Sequence, residues 1–333
     1  MVSGVYRTYV NNHDTPPTES TIKKMIVEKL NPTKNTIAKR EKLNLLTFTE
    51  KFIQDTKDGK RLSDKGRPIS PNTVKSYTTF KINLKEFQIK KNYNLDFDNI
   101  DSIFYEEFKN WMLIEKKYKT NSLAKYLKIL KMISYEANLK DYLEKPFTGR
   151  AYNTQKEDVQ NIYLDKAELK RIENLNLPYL ERLDKVRDLF LLGCWTGLRF
   201  SDFSTIELKD IGKTYITKRT QKTDATVIIP IHPVVKKIIK KYNGLTENSL
   251  PPSISNVKFN LYIKEIAELA EIKGTIIQKF TKGGKLLTTK TAKHKLVTTH
   301  TARRSFATNA YIDGIDSLTI MGITGHTSDS SFM

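Results

Sequence analysis

The sequence predicts a mainly helical chain in two domains, with a little antiparallel β-sheet confined to the second. Apolar residues recur at helical spacing from Leu46 to Ala137, which marks a first, all-helical domain. That pattern lapses between Pro146 and Gln160 and restarts behind Asp165 and Glu168, a pair with capping-box spacing. The stretch KTYITKRTQKTDATVIIPI then alternates apolar and polar residues around a polar centre, the signature of a hairpin. The expected organisation is an N-terminal arm or linker over 1–45, a helical domain over 46–150, a linker over 151–160 and a second domain over 161–333.

Residues 1–45 are polar and interrupted by Pro16-Pro17 and Asn31-Pro32, so an extended or partly ordered arm is expected. A first helix is expected from Leu46. Ser70-Pro71 opens a second, with proline at the first helical position and Val74, Tyr77, Leu84 and Phe87 along one stripe. Phe104, Phe108 and Trp111 mark a third helix, and Leu123, Leu127, Leu130 and Ala137 a fourth. On the fourth, Lys125, Lys128 and Lys131 stack on a side away from the leucines; a solvated face and a phosphate-contacting face share that pattern. In the second domain a helix follows Asp165, and a buried helix runs through Val186, Leu189, Phe190 and Leu192. The hairpin comes next, with Thr220–Asp224 at or near its turn. A helix near Val257 to Ala270, a second basic hairpin-like stretch from Ile276 to Val297, and helices from His300 and Ser317 complete the chain. Lys279, Lys282 and Lys285 lie in that second hairpin, which reads either as a DNA-contacting element or as a solvated loop.

Composition narrows the function. With 57 Lys and Arg against 37 Asp and Glu, the net charge of +20 points to a polyanionic partner, nucleic acid first. No apolar run approaches the roughly 20 residues that span a bilayer, and the start of the chain lacks the charged and apolar regions of a signal peptide. Cys194 is the single cysteine, which excludes an internal disulfide and a thiolate zinc cluster. His13, His232, His294, His300 and His326 show no paired ligand spacing, so neither a bound metal nor a cofactor is expected.

Four short signals in the second domain carry the chemistry. In TGLRFSD, Gly197 permits a tight turn after the buried helix, Arg199 follows, and Asp202 lies three residues on; such an arginine serves as a structural ion-pair partner or as an anion ligand. Lys222 sits in the first hairpin, where a solvated lysine is the ordinary expectation. In HTARRSFATNA, His300 and Arg303 share a face at the start of a helix, a pairing that suits phosphate. In ITGH, His326 follows a glycine turn, a place where capping or surface histidines are common. In this order, over about 130 residues and behind a basic helical domain, the four resemble the tyrosine recombinase (phage-type integrase) family. The wording of HTARRSFATNA and ITGH is similar to integrases of Bacteroidetes mobile elements and conjugative transposons.

The resemblance implies a two-domain clamp: a helical, SAM-like core-binding domain and an integrase-type catalytic domain closing on duplex DNA. It implies site-specific integration or excision through a 3′-phosphotyrosine intermediate and a Holliday junction. Arg199 and Arg303 would bind the scissile phosphate, Lys222 would protonate the leaving 5′-oxygen, and His300 would assist deprotonation of the nucleophile or hydrogen-bond the phosphate. His326 would add a phosphate contact, and Asp202 would orient Arg199 or His300. Lys125, Lys128, Lys131, Lys279, Lys282 and Lys285 would contact DNA. The family's tyrosine follows the GH histidine by about nine residues, which puts it just beyond Met333, so the catalytic domain is expected to be incomplete and this chain inactive. Tyr311, the nearest tyrosine upstream, reads as a packing residue. The implied partners are a double-stranded recombination site, three further copies of the chain on paired sites, and accessory DNA-bending proteins, all in the bacterial cytoplasm at the nucleoid. An inactive, regulatory DNA-binding homologue and a type IB topoisomerase-like enzyme are the alternatives.

Overall fold

The computed structural model describes residues 6, 9, 10, 16–30, 42–63 and 66–326. The expected nucleophile and residues 327–333 lie outside the described residues. The chain divides into two compact units: Met1–Lys116 with Ser122–Thr154, and Lys117–Asn121 with Gln155–Met333.

In the first unit a helix spans Glu19–Leu30 (α1), within the segment expected to be an extended or partly ordered arm. The prolines before it mark a start: Thr18 Oγ1 accepts the Thr21 N–H at 3.3 Å. Leu45–Lys57 (α2) begins behind a capping box in which Asn44 and Thr47 each accept the other's backbone N–H at 2.9 Å. Pro71–Lys91 (α3) has Ser70 as its cap and ends at Asn92 in the left-handed region. Ser102–Asn110 (α4) is capped by Asp101 and runs into a π-helical turn over Trp111–Glu115. Thr120–Leu139 (α5) follows. An aromatic cluster forms this unit's core: Phe87 meets Phe108 edge-on at 5.3 Å and Trp111 at 5.6 Å. The three lysines of α5 are not equivalent. Lys125 and Lys128 are exposed, but Lys131 is half-buried and donates to the Tyr152 carbonyl at 3.1 Å.

The second unit is built on a buried helix. Lys166–Glu173 (α6) starts at the Asp165–Glu168 capping box. Glu181–Thr196 (α7) buries Leu183, Val186, Leu189, Phe190, Leu191 and Leu192, so it has neighbours on every side. Phe200–Phe203 (α8) is a single turn. Tyr215–Arg219 (β1) and Thr226–Pro230 (β2) pair antiparallel, with Arg219 opposite Thr226 and Thr220 to Ala225 closing the turn. Pro233–Tyr242 (α9), which the sequence reading passed over, has the His232 ring as its cap and buries Val234, Val235, Ile238 and Tyr242. Asn256–Leu269 (α10) leads to a second hairpin, Thr275–Lys282 (β3) and Lys285–Ala292 (β4). Gly283 and Gly284 turn it with φ of 59° and 74°, as a two-residue hairpin turn demands. Thr299–Ile312 (α11) packs along α7, and Ser317–Thr324 (α12) closes against α11 and β2.

Candidate active site

Gly197 ends α7 in the left-handed region, with φ of 66°. A Cβ there would stand 2.5 Å from Phe306 Cδ1 and 2.8 Å from Thr324 Cγ2, so the position requires glycine both for its backbone and for its space. The turn delivers Leu198 into the core and leaves Arg199 half-buried, its Nη1 enclosed and without a hydrogen-bond partner among the described residues.

Arg303 comes to the same place from α11. It is 6% exposed. Its Nη1 donates to the Gly197 carbonyl at 2.9 Å and to the Thr324 carbonyl, fastening α11 to the end of α7 and the end of α12. Its Nη2 is buried and has no hydrogen-bond partner among the described residues. Burial, then the nearby Arg199 charge, lower its pKa to about 9, with Asp202 opposing. Two guanidiniums held together with free N–H groups form a site that an anion would complete.

The two histidines are kept neutral. His300 titrates below its ordinary value because of burial, then Arg304, Arg303, Lys222 and Arg199. His326 is lowered to about 4 by burial and then by Arg303 and Arg199, and its Nδ1 lies 2.8 Å from the Thr324 hydroxyl. Near neutral pH both rings are therefore uncharged, and His300 can accept a proton or a hydrogen bond.

A cleft of about 540 Å³ is lined by Arg199, Lys222, His300, Arg303 and His326 together. Asp202 does not line it. It is fully buried, and its Oδ1 accepts the Gln221 N–H at 2.9 Å, so it fixes the β1–β2 turn at the residue before Lys222. The expected role was to orient Arg199 or His300; the contact made is to the hairpin that carries the lysine. Lys279, Lys282 and Lys285 are exposed on the second hairpin and do not line the cleft. Arg304, Tyr163 and Thr308 do, and no motif singled them out. Tyr311 is 63% exposed, which corrects its reading as a packing residue. Eleven residues after His300, it stands about 16 Å further along the helix axis. A separate cavity of about 590 Å³ beside Trp195 and His232 holds none of the five residues.

Among the described residues, no group of three or more His, Cys, Asp or Glu could hold a metal ion, and no helix is long and apolar enough to cross a membrane.

Residues 44–153 match the phage integrase SAM-like domain family. No curated protein matches the chain. Among solved structures, a lambda integrase tetramer bound to a Holliday junction is similar over 95% of this chain and 89% of that one, at 15% identity and a TM-score of 0.62. XerH site-specific recombinase in a pre-cleavage complex with its difH substrate covers 88% and 94%, at 16% identity and 0.58. The Tn1549 transposon integrase in complex with circular-intermediate DNA covers 87% and 94%, at 18% identity and 0.57. At these identities the likeness is one of fold.

Proposed function

From a fold shared with lambda integrase and a cleft built for a phosphate, we propose that this chain is a tyrosine recombinase: a site-specific enzyme that integrates or excises a mobile element, of the kind carried by Bacteroidetes, by cutting and rejoining DNA. The observation that carries this reading is the convergence of Arg199, Lys222, His300, Arg303 and His326 on one cleft, with buried, unpaired guanidinium nitrogens on both arginines.

A phosphodiester resists nucleophiles because its charge repels them, and negative charge concentrates on the non-bridging oxygens as the phosphorane-like transition state forms. Fixed cations that wait unpaired help most at that moment. Arg199 and Arg303 supply them. Neutral His300 accepts the tyrosine proton or a hydrogen bond, and His326 adds a phosphate contact. The tyrosine oxygen bonds to phosphorus, the bond to the 5′-oxygen breaks, and Lys222 gives that oxygen its proton. The resulting 3′-phosphotyrosine conserves the bond energy, so a 5′-hydroxyl from a partner strand reverses the step without a cofactor. The resemblance places the tyrosine about nine residues after His326. Four copies on two paired duplex sites, with accessory DNA-bending proteins, would carry the exchange through a Holliday junction in the bacterial cytoplasm.

The test is a denaturing-gel assay for a covalent protein–DNA adduct on nicked suicide duplexes carrying the element end, with this chain beside a version extended through the next tyrosine. An adduct from the extended version supports the reading. An adduct from this chain alone would move the nucleophile to Tyr163, the tyrosine that lines the cleft. No adduct from either would overturn the reading.

A further inference from the structure

The cleft continues beyond the five groups assigned to the scissile phosphate. Along α11, Arg304 and Thr308 line it one and two turns past His300. Its facing wall there is an extended segment stitched to the helix: the Leu164 N–H donates to Ser305 Oγ at 2.8 Å, and the Asn309 side-chain amide donates to the Leu164 carbonyl at 2.9 Å. This stitching sets Tyr163, another cleft residue, level with Arg304 and Thr308.

Arg304 differs from its neighbour. Arg303 gives one nitrogen to two carbonyls, whereas Arg304 is half-buried and makes no hydrogen bond or ion pair among the described residues. Burial lowers its pKa, and no carboxylate offsets the penalty among the described residues. A half-buried guanidinium without an anion is costly unless function supplies the anion. The scissile phosphate has only two non-bridging oxygens, and the unpaired nitrogens of Arg199 and Arg303 already suffice for them. Four residues past His300, Arg304 is displaced by about 6 Å along the helix, more than the rise of about 3.4 Å per phosphate along the duplex axis, which leaves room for a second phosphate.

We propose that Arg304, with the hydroxyls of Tyr163 and Thr308, forms a second phosphate subsite that takes a neighbouring phosphodiester of the strand being cut. The inference rests on the function proposed above. Arg304 is a positioning residue here: it sets the register of the strand so that the scissile phosphate meets Arg199 and Arg303.

The experiment measures the affinity of the chain for the nicked element-end duplex between about 50 and 200 mM salt, where each phosphate neutralised contributes about 0.9 to the slope of log K against log salt. Arg304→Gln should lower the slope by about 0.9, because no other cation is assigned to its phosphate, whereas Arg199→Gln, which leaves Arg303 on the scissile phosphate, should lower it by less. Arg304→Lys, which keeps the charge, should retain the wild-type slope. A slope unchanged in Arg304→Gln would overturn the second subsite and leave the proposed function standing, which the adduct assay tests separately. An equal fall in Arg304→Lys would assign the loss to packing and overturn it as well.

Discussion

Arg303 holds the protein together through Nη1 and, in the proposed function, would meet a phosphate through Nη2, so the two duties use different nitrogens. Arg303→Ala should lower unfolding stability by about 2–3 kcal/mol in urea melts, the cost of removing charged hydrogen bonds from buried carbonyls, as well as abolish adduct formation. Lys222 is exposed and makes no ion pair among the described residues. In the version extended through the next tyrosine, Lys222→Ala should therefore leave the melting midpoint unchanged while abolishing cleavage. A 5′-phosphorothiolate at the scissile bond, whose leaving group needs no acid, should restore cleavage in that variant; absence of rescue would assign the acid elsewhere. His326 makes a pH prediction. Its folded pKa of about 4 lies below its ordinary 6.5, so the unfolded chain binds more protons between those values. The stability it contributes is complete above about pH 6.5 and is lost as pH falls through about 4. His326→Gln should make the thermal midpoint less steep across that window, and an unchanged profile would show that the ring is not held neutral.

At the scale of elements, the turn after α7 is the most constrained joint described. Gly197→Ala must accept a left-handed residue, at about 1–2 kcal/mol, and overlap with Phe306 and Thr324, at about 1–3 kcal/mol; equilibrium unfolding should show a combined loss of about 2–5 kcal/mol. Local signals made much of the framework legible. Ser70-Pro71 and Asp165 with Glu168 start helices where their side chains predict, because capping is decided within four residues. The same logic applies to α1 and α9, where Pro16-Pro17 and Pro233 precede or open a helix, since a proline that breaks one segment also starts the next. The site was legible only in part. Arg199, Lys222, His300, Arg303 and His326 carry spacing that can be recognised, and they line one cleft. Asp202's bond to the Gln221 N–H and Tyr163's place beside α11 depend on contacts between segments 19 and 141 residues apart, which no window of sequence contains. Arg304 was hidden by its neighbour, which completes the H-x-x-R pattern.

Over the whole molecule, the count of 57 Lys and Arg overstates what is free to meet a polyanion. Many cations are spent internally: Arg187 and Lys241 close on Asp184 and Asp188, and Lys293 puts its ammonium 2.7 Å from both oxygens of Glu168. The second hairpin is different. Lys282 and Lys285 stand directly opposite one another in the β3–β4 register, a like-charge pairing that disfavours the hairpin unless an anion lies nearby. Lys279→Gln, Lys282→Gln and Lys285→Gln together should reduce the salt slope of duplex binding by up to about 2.7, with a melting midpoint no lower than wild type; an unchanged slope would leave this hairpin outside the DNA interface. The nitrogen that Arg303 shares between two carbonyls also bears on how such a gene would decay. A lineage released from selection for activity can shed Lys222 at no structural cost, but shedding Arg303 loosens three helices at once. Silenced descendants that still fold should therefore lose the acid first and keep the buried arginine as a relic.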